Sequence, residues 1–145
     1  MSNDYNEEND FGYQLIIMSI KAYEKGYYIL AFFYQVEIFE NTMIPMIAGR
    51  ARHLGMEEKE VKRLAYKGNF NTKIDNLINI SGEEFRFLWD DLHNYRERRN
   101  KLIHGKSEFK NEAELKRFSK ESWELGTNKL FCFINSIKNY PTGEQ

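Results

Sequence analysis

The sequence predicts an all-α protein, a helical bundle of about four to five helices behind a short N-terminal tail. Apolar residues recur at alternating steps of three and four, the period of a helix face. Only two of the 145 residues are proline, and glycines mark breaks rather than forming rich turns, which argues against a small all-β domain. A Ser-x-x-Glu cap signal, Ser81 to Glu84, stands directly before one of the clearest apolar seams.

The elements follow in order. Residues 1–10 are polar and acidic (Asp4, Glu7, Glu8, Asp10) and read as a disordered tail without the apolar core of a signal peptide. A second role, as an acidic strip over a basic groove, is the weaker alternative. Residues 11–25 carry Leu15, Ile16, Met18, Ile20 and Tyr23 and suit a short helix, broken at Gly26. From Tyr27 to Phe39 the chain is apolar nearly all round, and the pattern continues through Met43, Ile44 and Ile47 to about Leu54. The run is too short to cross a bilayer and is interrupted by Glu37. A helix apolar on more than one face needs more than one partner surface: the domain core and a second subunit. Pro45 is expected to kink it and Gly55 to end it. Glu37 either pairs with a base such as Arg99 or faces solvent, and the wet edge expected of a long helix favours solvent.

Residues 56–67 form the next helix, with Met56, Val61 and Leu64 inward and a charged outer face. Gly68-Asn69 breaks it. Thr72 or Asn71 is expected to cap a short helix carrying Ile74, Leu77 and Ile78. A helix from about Gly82 to His104 follows, with Ser81 as N-cap and Glu84 at its third position. The last helix spans about residues 112–139, with Leu115, Phe118, Leu125, Leu130, Phe133, Ile134 and Ile137 inward and Gly126 allowing a bend or close packing. Residues 141–145 are a frayed end, so 11–140 is read as one domain.

Composition bounds the function. Hydrophobic content of 41% and charged content of 30% suit a soluble globular domain. A net charge of −1 supplies no global field toward nucleic acid, so any such contact is local. The single cysteine, Cys132, rules out an internal disulfide, suits a reducing cytoplasm and reads as a small core residue. One Cys and three dispersed His suggest no metal site, and no glycine-rich phosphate loop or other cofactor signal is present.

The chemistry concentrates in Tyr95 to Gly105. The seam of that helix reads Phe85, Leu88, Leu92, Tyr95, then Arg99, then Leu102, so a guanidinium falls where a core residue belongs. Such a cation is costly unless paired or set in a wet cleft. Beside the seam, His93, Asn100 and His104 share about 40° of arc. Arg99 and His104 lie roughly 140° apart on an ideal helix. They meet in one site only if the helix loosens before Gly105, if Arg99 reaches round, or if a second protomer closes the gap. Two readings compete. Helix termination, with Gly105 as C′ residue and bases complementing the dipole, accounts for Arg96, Arg98 and Lys101 as solvated groups. It leaves Arg99 unexplained. The alternative is an active site that joins a cation to an imidazole titrating near neutral pH. A bare Arg-x4-His spacing is common by chance; Asn after the Arg, Gly after the His and the helix end make it more specific.

The segment Arg99-Asn100-Lys101-Leu102-Ile103-His104 resembles the Arg-x4–6-His signature of HEPN domains, in the form with Asn after the Arg. A long early helix, a Lys-Ile-Asp-Asn-Leu segment (Lys73 to Leu77) and a long final helix resemble the surroundings of that signature, over roughly residues 27–138. The resemblance implies an all-α homodimer with the long apolar helix and the motif helix at its interface. It implies a metal-independent endoribonuclease that cleaves single-stranded RNA to 2′,3′-cyclic phosphate ends, without cofactor. His104 would act as general base or acid, Arg99 would stabilise phosphoryl charge, and Asn100 would orient the imidazole or hold the phosphate. Arg96, Lys101, Lys106 and His93 would contact substrate at its edge, with Arg98 and Lys110 extending the basic run. The setting implied is a toxin or abortive-infection defence effector with a possible cognate antitoxin. Some family toxins carry a Tyr two residues after the motif His, where this chain has Lys106. The alternatives are a non-catalytic HEPN-like module binding nucleotide, RNA or a protein partner, and a plain bundle in which the motif is only a cap.

Overall fold

The computed structural model of the chain describes the backbone of residues 7–105 and 108–137, and the side chains of 12–105 and 108–129. It is all-α. The described residues form six α-helices: α1 (Glu7–Glu24), α2 (Tyr28–His53), α3 (Glu58–Tyr66), α4 (Phe70–Ile80), α5 (Trp89–His104) and α6 (Glu112–Ile137). A 3-10 helix, Glu83–Leu88, precedes α5. Six is the number of helical segments read along the sequence, one above the overall figure of about four to five, and the short segments α3 and α4 are separate helices as expected. Gly26, Gly55 and Gly68 supply the breaks with positive φ, a backbone state that costs glycine little. α1 begins at Glu7, inside the stretch read as tail.

α2 is the centre of the bundle and packs against α1, α3, α4 and α6. That accounts for its nearly continuous apolar pattern, since one helix with several partner surfaces cannot keep a broad polar face. Phe32, Met43, Ile47 and Ala51 of α2 are fully enclosed, together with Val61, Phe70 and Ile74 from α3 and α4. Glu37 faces solvent, as favoured. Glu40, one turn on, accepts a 2.9 Å ion pair from the buried Lys73 of α4. No described helix is long and apolar enough to cross a membrane.

The polar residue that matters inside α2 is Gln35, only 3% exposed. Its Nε2 donates to the Trp123 carbonyl at 2.9 Å and to Thr127 Oγ1 at 3.0 Å, both on α6. Its Oε1 accepts from the buried Tyr95 hydroxyl at 2.8 Å. One amide thereby joins α2, α5 and α6 with its donor and acceptor ends both used. Gly126 makes room for it: a Cβ there would overlap Gln35 Oε1 and lie 2.6 Å from Tyr95 Cε1. Close packing, rather than a bend, is the role of this glycine.

Two expected caps are replaced. Asn69 caps α4, its Oδ1 accepting from Thr72 N–H at 3.0 Å, so Asn71 lies within the first turn and its side chain is free for α5. Ser81 does not open a capping box. Its hydroxyl donates to Ile78 O and accepts from Trp89 Nε1, each at 3.0 Å. A half-buried indole N–H is donor-only and needs an acceptor, and Ser81 is the one in reach. The N-cap position falls to Gly82, which has no side chain to offer, and the segment starts as a 3-10 helix.

Candidate active site on helices α4 and α5

α5 remains α-helical through His104, and Gly105 N–H still bonds back to Lys101 O at 2.7 Å. Gly105 has φ −110°, so it is not the left-handed C′ residue expected. It is required for space: a Cβ would approach Lys101 O to 2.9 Å. With the helix intact, Arg99 and His104 keep their angular separation of roughly 140°. Loosening of the helix is therefore not what joins them.

Arg99 sits half-buried with its guanidinium carbon 5.2 Å from the Phe70 ring centroid. Its hydrogen bond is Nη1 to Asn100 Oδ1 at 3.2 Å, and its Nε–H is buried without a partner. Among the described residues it has no carboxylate within ion-pair distance. A cation over an aromatic face contributes about 0.5–2 kcal/mol. An orphaned buried N–H costs about 1–3 kcal/mol. Stability therefore does not explain this arginine. Arg98 also has an unpartnered buried Nε, but it ties the fold together: its Nη1 donates to Ser122 Oγ of α6 at 3.0 Å, and it lies over Phe118.

Asn100 connects Arg99 to α4. While its oxygen accepts from Arg99, its Nδ2 donates to Asn71 Oδ1 at 3.2 Å. Asn100 is thus a link between the motif arginine and the first turn of α4. One turn earlier, Arg96 is not a solvated base. Its Nη1 bonds Asp75 Oδ1 at 2.5 Å and Asn71 O at 3.3 Å, and its Nη2 donates to His93 Nδ1. Arginine carries only donors, so His93 Nδ1 is the acceptor, leaving Nε2 to bear the ring proton. Lys101 stacks its ammonium over Phe109 and Phe118, at 5.0 and 4.9 Å. Of the basic run, Arg96, Arg98 and Lys101 are thus engaged within the fold. Lys110 is exposed, and Lys106 lies outside the described residues.

His104 is exposed at the end of α5. Next to it in the chain, Ile103 lines an apolar groove of about 370 Å³ with Ile29, Phe33, Leu102 and Leu115. A second hollow of about 450 Å³ continues it past Tyr27 and Leu30. Tyr27, Leu30 and Ile103 remain 60%, 47% and 38% exposed along this trough. Among the described residues no three His, Cys, Asp or Glu side chains group as metal ligands.

Asn71, Asp75 and Phe70 were absent from the candidate set read from sequence. A signal existed: Asn71 and Asp75 stand one turn apart as polar residues beside the apolar Phe70, Ile74 and Leu77. Comparison with protein-family models, with curated proteins and with solved structures gave no match to this chain.

Proposed function

We propose that this protein is a metal-independent endoribonuclease of HEPN type, acting on single-stranded RNA as a homodimer. The observation that carries the reading is Arg99: a half-buried guanidinium on the core seam, held by an amide and an aromatic face, with no carboxylate among the described residues within ion-pair distance. A site built this way favours an anion, and a phosphoryl group matches the planar fork. The exposed His104 supplies an imidazole, a side chain able to give or take a proton. In the proposed reaction an imidazole removes the 2′-hydroxyl proton as that oxygen attacks phosphorus. The P–O5′ bond breaks, the 5′-oxygen takes a proton, and the product ends are a 2′,3′-cyclic phosphate and a 5′-hydroxyl. Arg99 stabilises the charge that builds on the non-bridging oxygens.

A dimer resolves the angular separation on α5, because Arg99 of one copy and His104 of its partner can face a common phosphate. It also supplies the two imidazoles that acid and base roles require. The apolar trough bordered by Ile103 and Leu30, beside His104, is the interface we assign. The biological setting we infer is cytoplasmic, as a toxin or abortive-infection effector restrained by a cognate antitoxin. This rests on the Arg-Asn-x3-His resemblance alone.

One observation favours a second reading. Arg96, Arg98 and Lys101 are engaged inside the fold, which takes them out of the basic run expected to grip RNA. This fits a HEPN-like module that binds nucleotide, RNA or a protein partner without cleaving. The deciding experiment incubates purified protein with mixed-sequence single-stranded RNA in EDTA, beside Arg99→Ala and His104→Ala. Wild-type cleavage to cyclic-phosphate ends, lost by at least about a hundredfold in both variants, is the expected outcome. No cleavage by any of the three folded proteins would establish the binding-module reading instead.

A further inference from the structure

Asn71 has no role in the motif, yet it is the far end of a chain of hydrogen bonds that begins at Arg99. The direction of that chain follows from the donor inventory. Arginine has no acceptor, so the Asn100 atom facing Arg99 Nη1 at 3.2 Å is its oxygen. The Asn100 atom left to face α4 is its NH2 group, a donor only. Asn71 must therefore present its oxygen, which it does at 3.2 Å. Each residue in the relay fixes the orientation of the next.

The anchor is firm on the α4 side. Asn69 takes the capping role, so Asn71 sits in a regular first turn rather than in a loop. Its own carbonyl accepts from Arg96, which also bonds Asp75 one turn later. Two α5 side chains thus converge on the same turn of α4. Arg99 has the opposite character: its hydrogen bond reaches only the adjacent residue, and the rest of its support is the Phe70 face. Without the Asn71 acceptor, nothing on α4 anchors the Asn100 amide in the orientation that presents its oxygen to Arg99.

We propose that Asn71 is the positioning residue of the site: it locks the Asn100 amide so that Arg99 is held with its Nη2 available to a phosphoryl oxygen. The kinetic arm of the test rests on the ribonuclease reading above; the spectroscopic arm does not. The variants are Asn71→Leu, which removes the acceptor at similar size, and Asn71→Asp, which retains an acceptor oxygen and suits a helix N-terminus.

In 15N-edited NMR, the Asn100 side-chain amide and the Arg99 Nε–H signals are assigned with Asn100→Ala and Arg99→Lys. Asn71→Leu is expected to shift both signals, and Asn71→Asp to return the Arg99 signal toward its wild-type position. In cleavage assays at saturating and limiting RNA, Asn71→Leu is expected to lower kcat by roughly tenfold with KM nearly unchanged, the pattern of a misplaced transition-state contact. Asn71→Asp is expected to stay within about threefold of wild type.

An Arg99 signal that does not move in Asn71→Leu overturns the proposal, whether or not the wild type cleaves RNA. Equal loss of kcat in both variants also overturns it, since a general disturbance of α4 would not spare the acceptor-retaining form. A shifted Arg99 signal with no wild-type cleavage would support the relay and sink the ribonuclease reading, so the two failures are separable.

Discussion

Gln35 is the residue on which three helices depend. Its amide is surrounded by partners whose own hydrogen bonds it completes: the Tyr95 hydroxyl, Thr127 and the Trp123 carbonyl. Burial pushes the Tyr95 phenol well above its ordinary pKa, so it stays a neutral donor. Replacing Gln35 with Leu strands that hydroxyl, and we expect a loss of about 1–3 kcal/mol in urea unfolding. Adding Tyr95→Phe to Gln35→Leu is expected to recover much of that loss, because removing both partners leaves no orphan. A double variant no more stable than the single one would show that volume, not the hydrogen bond, is what matters. At this scale the sequence was only partly legible. Arg99 stood out because a helical period can be counted along one segment. Gln35 did not, since a neutral amide in an apolar run attracts less notice than Glu37 two residues later, which proved to be the solvent-facing one. Asn71 became meaningful only once α4 and α5 were side by side. The fates of Arg96, Arg98 and Lys101 were hidden for the same reason: their partners, Asp75, Ser122 and Phe118, come from other helices.

Between elements, α1 and α6 are joined by a small polar and aromatic clamp. Tyr23 stacks on Trp123 with ring centroids 4.0 Å apart, and its hydroxyl donates to Glu124 Oε2 at 2.6 Å. Trp123 Nε1 donates in turn to Ser19 Oγ at 2.8 Å. The bond to the Glu124 carboxylate, with burial adding to it, pushes the Tyr23 phenol up from 10.0 to about 12. An unfolded tyrosine releases its proton near its ordinary value, so between these limits the folded chain binds more protons than the unfolded one. The clamp is therefore at full strength below pH 10 and weakens as pH rises toward about 12. Urea midpoints measured from pH 9 to pH 12 should fall less steeply for Tyr23→Phe than for the wild type. Parallel slopes would mean that the phenol–carboxylate bond is not coupled to folding. Element boundaries were legible where glycine sets them, at Gly26, Gly55 and Gly68. Ser81 misled because cap signals are local, while the claim of the Trp89 indole on its hydroxyl is tertiary.

For the whole molecule, the all-α class followed from period and composition, which do not depend on how helices are arranged. The proposed dimer belongs to this scale. Ile103 and Leu30 border the trough but are substantially exposed, so charge there should spare the protomer's core. We expect Ile103→Asp to sediment as a monomer with helical content unchanged and to lose RNA cleavage although Arg99 and His104 are intact. A monomeric variant that still cleaves would place a complete site in one protomer.

The clamp between α1 and α6 also has a consequence in time. Ser19 and Trp123 are 104 positions apart in the chain. At a synthesis rate of about 5–20 residues per second, α1 emerges roughly 5–20 s before the tryptophan it grips has been made. During that interval Ser19 and Tyr23 have no partner on α6, and the bundle cannot close around its central amide. The nascent chain passes through translation with its motif helix already made but its scaffold unfinished. A protein proposed to cut RNA would thus complete its fold only after α6 has been made.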